Sequence, residues 1–295
     1  MIIPEESWHD LLREIEQRND TTIVYVLGAS DRGKTTFCRF VLERIRGDLP
    51  AAYIDCDPGQ SSIGPPATIG LCIYPIDNAA DSFTFLSFIG SISPKRHLLQ
   101  SLSGTRKLVE KALACNAHTI VIDSSGYVLD RVAKEFQFQI IDLIRPDYIV
   151  AFQQEDELED ILLSFAGHTG MRTVRMSVSQ AVTLRTTQKR KEYRQERFRS
   201  YFRDAQLQDV CYSKKGLHGM VGDLHDHAYI DGLLLALCDQ ENIVLCLGIV
   251  RGCDPQIQTM CVFAPPFEDG KVRSIQFGSV HLDVLSLRND HGDGA

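Results

Sequence analysis

Apolar residues change their period twice along this chain. Trp8, Leu11, Leu12 and Ile15 recur at i, i+3, i+4 and i+7, the stripe of a short amphipathic helix that packs on a core. From residue 21 short apolar runs alternate with helical periods. TIVYVLG (22–28), AAYIDCD (51–57), SFTFLSFIG (82–90), TIVIDSSG (119–126), DYIVAFQ (147–153) and RTVRMSV (172–178) read as strands. Segments 34–46, 98–114, 131–144 and 155–165 read as helices. This β-α alternation over 21–178 predicts a parallel α/β sheet with helices on both faces. Residues 183–203 keep a helical pattern but turn strongly basic. From about Val210 the helical period fades. Segments 227–239, 242–252, 258–266 and 272–282 read as short strands between Gly, Pro and Asp turns, a small β-rich C-terminal domain. The expected organisation is an N-terminal helix (1–20), a nucleotide domain (21–205) with a basic lid (183–203), the β-rich domain (206–288) and a disordered tail (289–295).

Net charge changes this picture only by exclusion. At −8 over 295 residues, no global basic field draws in nucleic acid, so a polyanion must meet a local basic patch. Nine cysteines, an odd number with no CxxC pair, argue against a disulfide framework and a zinc site. The N-terminus has no basic, apolar leader pattern and no segment reaches the ~18 apolar residues of a membrane span. The expectation is a soluble, cytoplasmic protein with no membrane partner.

Gly28-Ala29-Ser30-Asp31-Arg32-Gly33-Lys34-Thr35, with Thr36 following, spells G-x-x-x-x-G-K-T between a predicted strand and a predicted helix. That context predicts a P-loop fold. The glycines let backbone N–H groups turn inward to cradle phosphates, and the helix N-terminus adds positive potential. Lys34 is expected on the β- and γ-phosphates and Thr35 on Mg²⁺, so ATP and Mg²⁺ are the implied cofactors. No N-K-x-D run marks a GTPase, and a kinase is favoured.

YIDCDPGQ places Asp55 and Asp57 at i and i+2, on one side of a strand, at the end where open α/β sheets bind ligands. One could accept a hydroxyl proton and the other hold Mg²⁺. TIVID offers a rival, since Asp123 ends an apolar run like a Walker B aspartate. Three carboxylates compete for two roles. Asp57 is favoured as base, with Thr35, Asp55 and Asp123 on the metal side. On the basic helix, Arg190, Arg194 and Arg197 share a face with Tyr193 and Tyr201 beside them, the geometry of a lid converging on a transferring phosphoryl group. His225 and His227 would chelate together on a strand, but no third ligand is visible and a polar turn is the simpler reading.

In this order, GASDRGKTT, DCDPGQSSIGPPATIGL, FIGSISPKRHLLQSL, DSSGYV and YRQERFRSYF resemble the polynucleotide 5′-hydroxyl kinases, a family associated with tRNA splicing, pre-mRNA cleavage and ribosomal RNA processing. The likeness covers roughly residues 21–285. It implies ATP-dependent phosphorylation of the 5′-hydroxyl end of single-stranded RNA or DNA. Carried over by position, Lys34 and Thr35 hold phosphate and Mg²⁺, and Asp57 is the general base with Gln60 near the acceptor. Gly90–Pro94, with Ser91, Ser93 and Pro94, forms a clasp over the acceptor end. Ser124 stands where the family usually has Thr, and Arg194 and Arg199 match the lid arginines, where the helical face selects Arg194 and Arg197. Tyr127 replaces the usual Trp and Asp123 the usual Asn. Lys95, Arg96 and His97 are expected on the polymer backbone. The additional N-terminal β-domain of eukaryotic members has no counterpart here, which implies a compact prokaryotic type. Readings from other classes are a non-catalytic ATP-binding scaffold of a processing complex, a GTPase-like switch and a small-molecule kinase.

Overall fold

A computed structural model describes residues 5–45, 49–75, 82–179, 182–219, 224 and 226–288. The first half runs α1 (Glu6–Glu16), β1 (Thr22–Gly28), α2 (Lys34–Ile45), β2 (Ala51–Asp55), β3 (Thr68–Tyr74), β4 (Phe83–Phe88), α3 (Leu98–Ala114), β5 (Thr119–Asp123), α4 (Arg131–Ile144), β6 (Tyr148–Gln153), α5 (Glu159–Leu163), β7 (Arg172–Ser177) and α6 (Thr187–Tyr201). Seven strands pair in the order β4-β3-β2-β5-β1-β6-β7. From β2 to β7 the pairs are parallel. The chain leaves β1 towards β2 on one side and later reaches β6 on the other, so the crevice at the C-terminal end of β1 is a topological switch point.

The sheet is buried on both faces, and the period of 2 sorts its side chains. Val24 and Val26 face the layer of α1 and α2 with Trp8, Phe37 and Phe40. Tyr25 and Leu27 face the layer of α3, α4 and α5 with Leu108, Phe136 and Ile161. Local chemistry sets the helix ends. Asp130 caps α4 by accepting from Ala133 N at 2.8 Å, and Arg145 closes it in the left-handed region before Pro146.

Two edge strands depart from the parallel expectation. The chain returns from β2 to β3 through residues 56–67 with no crossover helix, so β3 runs antiparallel to β2, and β4 antiparallel to β3. β3 is absent from the strands expected above, although its run Ile69–Tyr74 is mostly apolar. The helix expected over 155–165 shortens to the five residues of α5.

The second half holds β8 (Gln206–Cys211), β9 (Gly216–Gly219), α7 (His227–Ile230), β10 (Leu233–Cys238), β11 (Val244–Asp254), β12 (Thr259–Ala264), β13 (Ser274–His281) and α8 (Val284–Arg288). Six strands pair as β8-β12-β11-β10-β13-β9, antiparallel except β13 with β9. The run LLLALC of β10 is continuously apolar because both of its faces are covered. Leu233, Leu235 and Leu237 enter one cluster. Leu234, Ala236 and Cys238 enter another, which also takes Phe198 and Phe202 from α6 and Ala67 and Phe88 from the first sheet. The basic helix is thus bolted to the second sheet by its C-terminal end.

Six of the nine cysteines are buried and all are free, as apolar packing residues would be. Asp226 caps α7 by accepting from Tyr229 N, His225 lies outside the described residues, and so does the tail 289–295. Among the described residues no three His, Cys, Asp or Glu side chains group to hold a metal, and no helix is long and apolar enough to cross a membrane.

The two sheets meet closely at a pair of glycines. Gly90 has φ +76°, and a Cβ at Gly278 would lie 2.6 Å from the Gly90 oxygen. Ser279 N donates to that same oxygen at 2.7 Å. Gly278→Ala is expected to destabilise the protein by about 1–3 kcal/mol, because neither backbone can yield without losing this bond. Urea unfolding measures it.

Candidate active site

The phosphate loop is built by close approach. A Cβ on Gly28 would come within 2.7 Å of the Phe152 carbonyl of β6, and Gly33 takes φ +92°, so each position requires glycine. Lys34 is 7% exposed and donates from Nζ to the Ala29 oxygen at 2.9 Å, which holds the ammonium inside the curve of the loop. Thr36 is exposed on the first turn of α2. Gly126 packs directly on the loop, where a Cβ would lie 2.6 Å from Ser30 N. Arg32 turns outward to Gln154 Oε1 at 2.5 Å and to Glu157.

Beneath the loop lies a buried acid pair. The register sets Asp123 of β5 beside both Asp55 of β2 and Val26 of β1. Asp123 Oδ2 accepts from Thr35 Oγ1 at 2.5 Å and from the Tyr53 hydroxyl at 3.2 Å, while its Oδ1 is buried with no hydrogen-bond partner. Asp55 accepts from Ser62 N and Oγ, each at 2.7 Å, and from Asp57 N at 3.0 Å. Burial, then the charge of Asp123, pushes Asp55 up to about 7. Burial also raises Asp123, against the pull of Lys34 and Thr35.

A carboxyl raised by folding favours the folded state fully only below its unfolded pKa. Metal-free protein is therefore expected to lose this contribution as pH rises from about 4 through about 7. Asp55→Asn should flatten that slope in melting curves.

Asp57 lies beyond the end of β2, so a turn places it rather than strand alternation. Its Oδ1 accepts from Gly59 N at 2.9 Å and Gln60 N at 3.1 Å. Its Oδ2 has no hydrogen bond among the described residues, and Asp57 is half-buried. The clasp lies on this turn, for a Cβ at Gly59 would collide with the Ile92 oxygen. Ser91 Oγ accepts from Ser93 N, and Ser93 Oγ from Lys95 N, shaping the clasp from within. Pro94 is buried and its oxygen accepts from His97 N.

The basic helix closes the site from the other side. Tyr193 donates its hydroxyl to the Ser61 oxygen at 2.8 Å, and Arg197 donates to the Gly64 oxygen at 2.7 Å. Arg190 pairs with Asp31 at 2.7 Å. Gln60 spans the gap, with Nε2 to the Arg190 oxygen at 3.5 Å and Oε1 to Arg185 at 3.4 Å. Arg194 feels burial, which lowers its pKa, and the opposing charge of Asp57 beside it. A half-buried cation, an open carboxylate and a phosphate loop therefore converge at the C-terminal end of the parallel strands.

The family model described as mRNA cleavage and polyadenylation factor CLP1 P-loop matches residues 28–204. The chain belongs to the CLP1 P-loop family. It is 25% identical to a polyribonucleotide 5′-hydroxyl-kinase of Pyrococcus furiosus, over 95% of this chain and 93% of that protein. The same-named protein of Methanocaldococcus jannaschii is also 25% identical, over 95% and 92% of the two chains. Among solved structures, the wild-type Clp1p–Pcf11p complex superposes with a TM-score of 0.69 at 15% identity, covering 92% of this chain and 77% of that one. That last likeness concerns the fold.

In this CLP1 P-loop chain several expected residues meet and several do not. Lys34, Thr35, Asp55, Asp57, Asp123, Gln60 and Arg194 gather around the loop. His97 does not face a polymer. It is 4% exposed, and its Nε2 lies 3.0 Å from Ser279 Oγ, so it anchors the clasp to the second sheet. Arg199 lies on another face of α6, with its Nε 3.4 Å from the Ser286 oxygen of α8, which withdraws it from the phosphoryl position. Arg197 and Arg190 are committed to loop carbonyls and to Asp31, so of the face Arg190, Arg194 and Arg197 only Arg194 remains turned to the reacting side. Ser124 is buried, its Oγ 3.4 Å from the Ser125 oxygen. Tyr127 spends its hydroxyl on Asp130 at 3.0 Å while its ring stays half-buried. Sequence reasoning missed Ser62 and Tyr53, which dress the acid pair, and Gly126. Only Gly126 carried a signal, as a glycine three residues after the end of the Asp123 strand.

Proposed function

We propose that this chain transfers the γ-phosphate of ATP to the 5′-hydroxyl of single-stranded RNA. The observation that carries the reading is Asp57, whose Oδ2 is free of hydrogen bonds among the described residues while its charge acts on Arg194. A general base must be open to the acceptor hydroxyl, and of the three carboxylates only Asp57 is. Asp55 is saturated by Ser62 and Asp57 N, and Asp123 is buried against Thr35. The names of the archaeal relatives support a polyribonucleotide acceptor.

The residues present fit Mg²⁺. Asp123 presents a buried oxygen without a protein partner, next to the Thr35 hydroxyl. Thr35 and Asp123 would hold the ion, with Asp55 behind them; when bound it would neutralise charge on the β- and γ-phosphates. Asp57 accepts the 5′-hydroxyl proton as that oxygen attacks the γ-phosphorus in line, and the bond from the γ-phosphorus to the β,γ-bridging oxygen breaks to release ADP. Lys34 and Arg194 stabilise the equatorial oxygens. The clasp and the turn at Gly59 hold the acceptor end.

The test is transfer from γ-labelled ATP to 5′-hydroxyl RNA and DNA oligonucleotides of one sequence. Label on RNA in excess of DNA is the expected outcome. Equal labelling would remove the RNA preference. ATP binding without transfer to either would overturn the kinase in favour of a scaffold.

A further inference from the structure

Asp31 is a carboxylate within a loop that holds phosphate. Such a charge opposes a polyanion unless a cation neutralises it. It adopts φ 56°, a left-handed conformation that Asp and Asn tolerate better than most side chains. Its Oδ2 accepts from the Arg190 guanidinium at 2.7 Å and from the Arg185 backbone N–H at 2.9 Å. The pair is shielded, with Asp31 14% and Arg190 32% exposed. Burial alone would raise the Asp31 carboxyl, but the Arg185 N–H and the Arg190 guanidinium outweigh it and hold the group below the usual range.

The two ends of α6 are held by different forces. Phe198 and Phe202 are buried in the apolar cluster on the second sheet, and the Tyr201 hydroxyl accepts from Leu247 N at 2.8 Å. The N-terminal half contributes no residue to that cluster among the described residues and is tied by polar contacts to Asp31, Gln60 and Ser61. Apolar packing makes the C-terminal end a fixed pivot. The N-terminal end is the one that exchangeable polar contacts can dock or release. Arg194 lies between the two.

We propose that Asp31 is the latch of the lid: its carboxylate docks the N-terminal end of α6 through Arg190 and the Arg185 amide, and so keeps Arg194 beside Asp57. Asp31 and Arg190 are positioning residues, not phosphate ligands. Because Arg190 neutralises Asp31 only when docked, nucleotide binding and lid docking favour each other. The kinetic consequences rest on the kinase reading; the latch itself does not.

The test compares Asp31→Asn, Arg190→Gln, their combination and Arg190→Lys in the full chain. Asparagine keeps the left-handed tolerance and removes only the charge. Amide hydrogen exchange of residues 183–194 is followed with and without a non-hydrolysable ATP analogue. Each single variant is expected to speed exchange about three- to tenfold, the range of one partly shielded ion pair. The double variant should be no faster than the faster single, because both remove one interaction. Arg190→Lys should restore protection. In transfer assays kcat should fall about three- to tenfold with the oligonucleotide KM within about twofold, and neither substitution should lower kcat further in an Arg194→Gln background. Unchanged exchange in every variant, multiplied effects in the double, or a kcat loss that persists without Arg194 would overturn the latch. A wild-type protein that transfers no phosphate yet shows the exchange pattern would overturn the kinase reading alone.

Discussion

Asp57→Asn is expected to slow phosphoryl transfer about 10²- to 10⁴-fold while leaving ATP affinity within about twofold. The substitution is sharp because the two oxygens of Asp57 do different work. Oδ1 holds the turn through Gly59 N and Gln60 N, and an asparagine oxygen can keep both bonds. What is lost is a basic oxygen open to the acceptor. Single-turnover transfer beside equilibrium ATP binding separates chemistry from binding. A variant as fast as wild type would remove Asp57 as the base.

Lys34→Ala should act on both. Transfer is expected to fall by about 10²- to 10³-fold, the usual loss when one positioned charge is removed from a dry site. ATP binding should weaken as well, since the ammonium bonds the ground-state phosphates too. A second consequence comes from packing. Lys34 is the cation that offsets burial of Asp123. Without it the pair Asp55–Asp123, both raised by burial, loses its counter-charge, so metal-free Lys34→Ala should melt lower than wild type at high pH, where both carboxyls would have to ionise. Fluorescence titration with nucleotide and pH-dependent melting read the two effects independently. Unaltered nucleotide affinity would exclude Lys34 from the cradle.

Much of this architecture could be read from local pattern because local physics enforces it. A strand buried on both faces must be apolar along its middle, and Ile23–Leu27 of β1, Ile120–Ile122 of β5 and Tyr148–Phe152 of β6 are. The glycines of the loop announce backbone that no side chain could follow. The amphipathic stripe of α1 stated its own burial. The helical period likewise put Arg190, Arg194 and Arg197 on one face of α6, and the structure keeps them there.

The direction of a side chain relative to partners far along the chain was not local, and there the pattern misled. His97 stands in a basic run and looks like a polymer contact, yet Ser279, 182 positions later, draws it inward. Arg199 matched a lid arginine by position, but α8 occupies its face. Asp55 and Asp57 looked like twins on one strand. The strand ends between them, so Asp55 is buried with Ser62 and Asp57 stays open.

Residue order alone settled the P-loop, the parallel strands around it and most of the groups gathered beside it, because period, turn chemistry and motif spacing act over a few residues. Tertiary packing decided which carboxylate is open, which arginine still faces the reaction and how the lid is tied to the phosphate loop. Those depend on burial and on partners more than a hundred residues away, such as Asp31 and Arg190. Charge and hydrogen bonding in a protein interior are set by what the whole fold brings alongside.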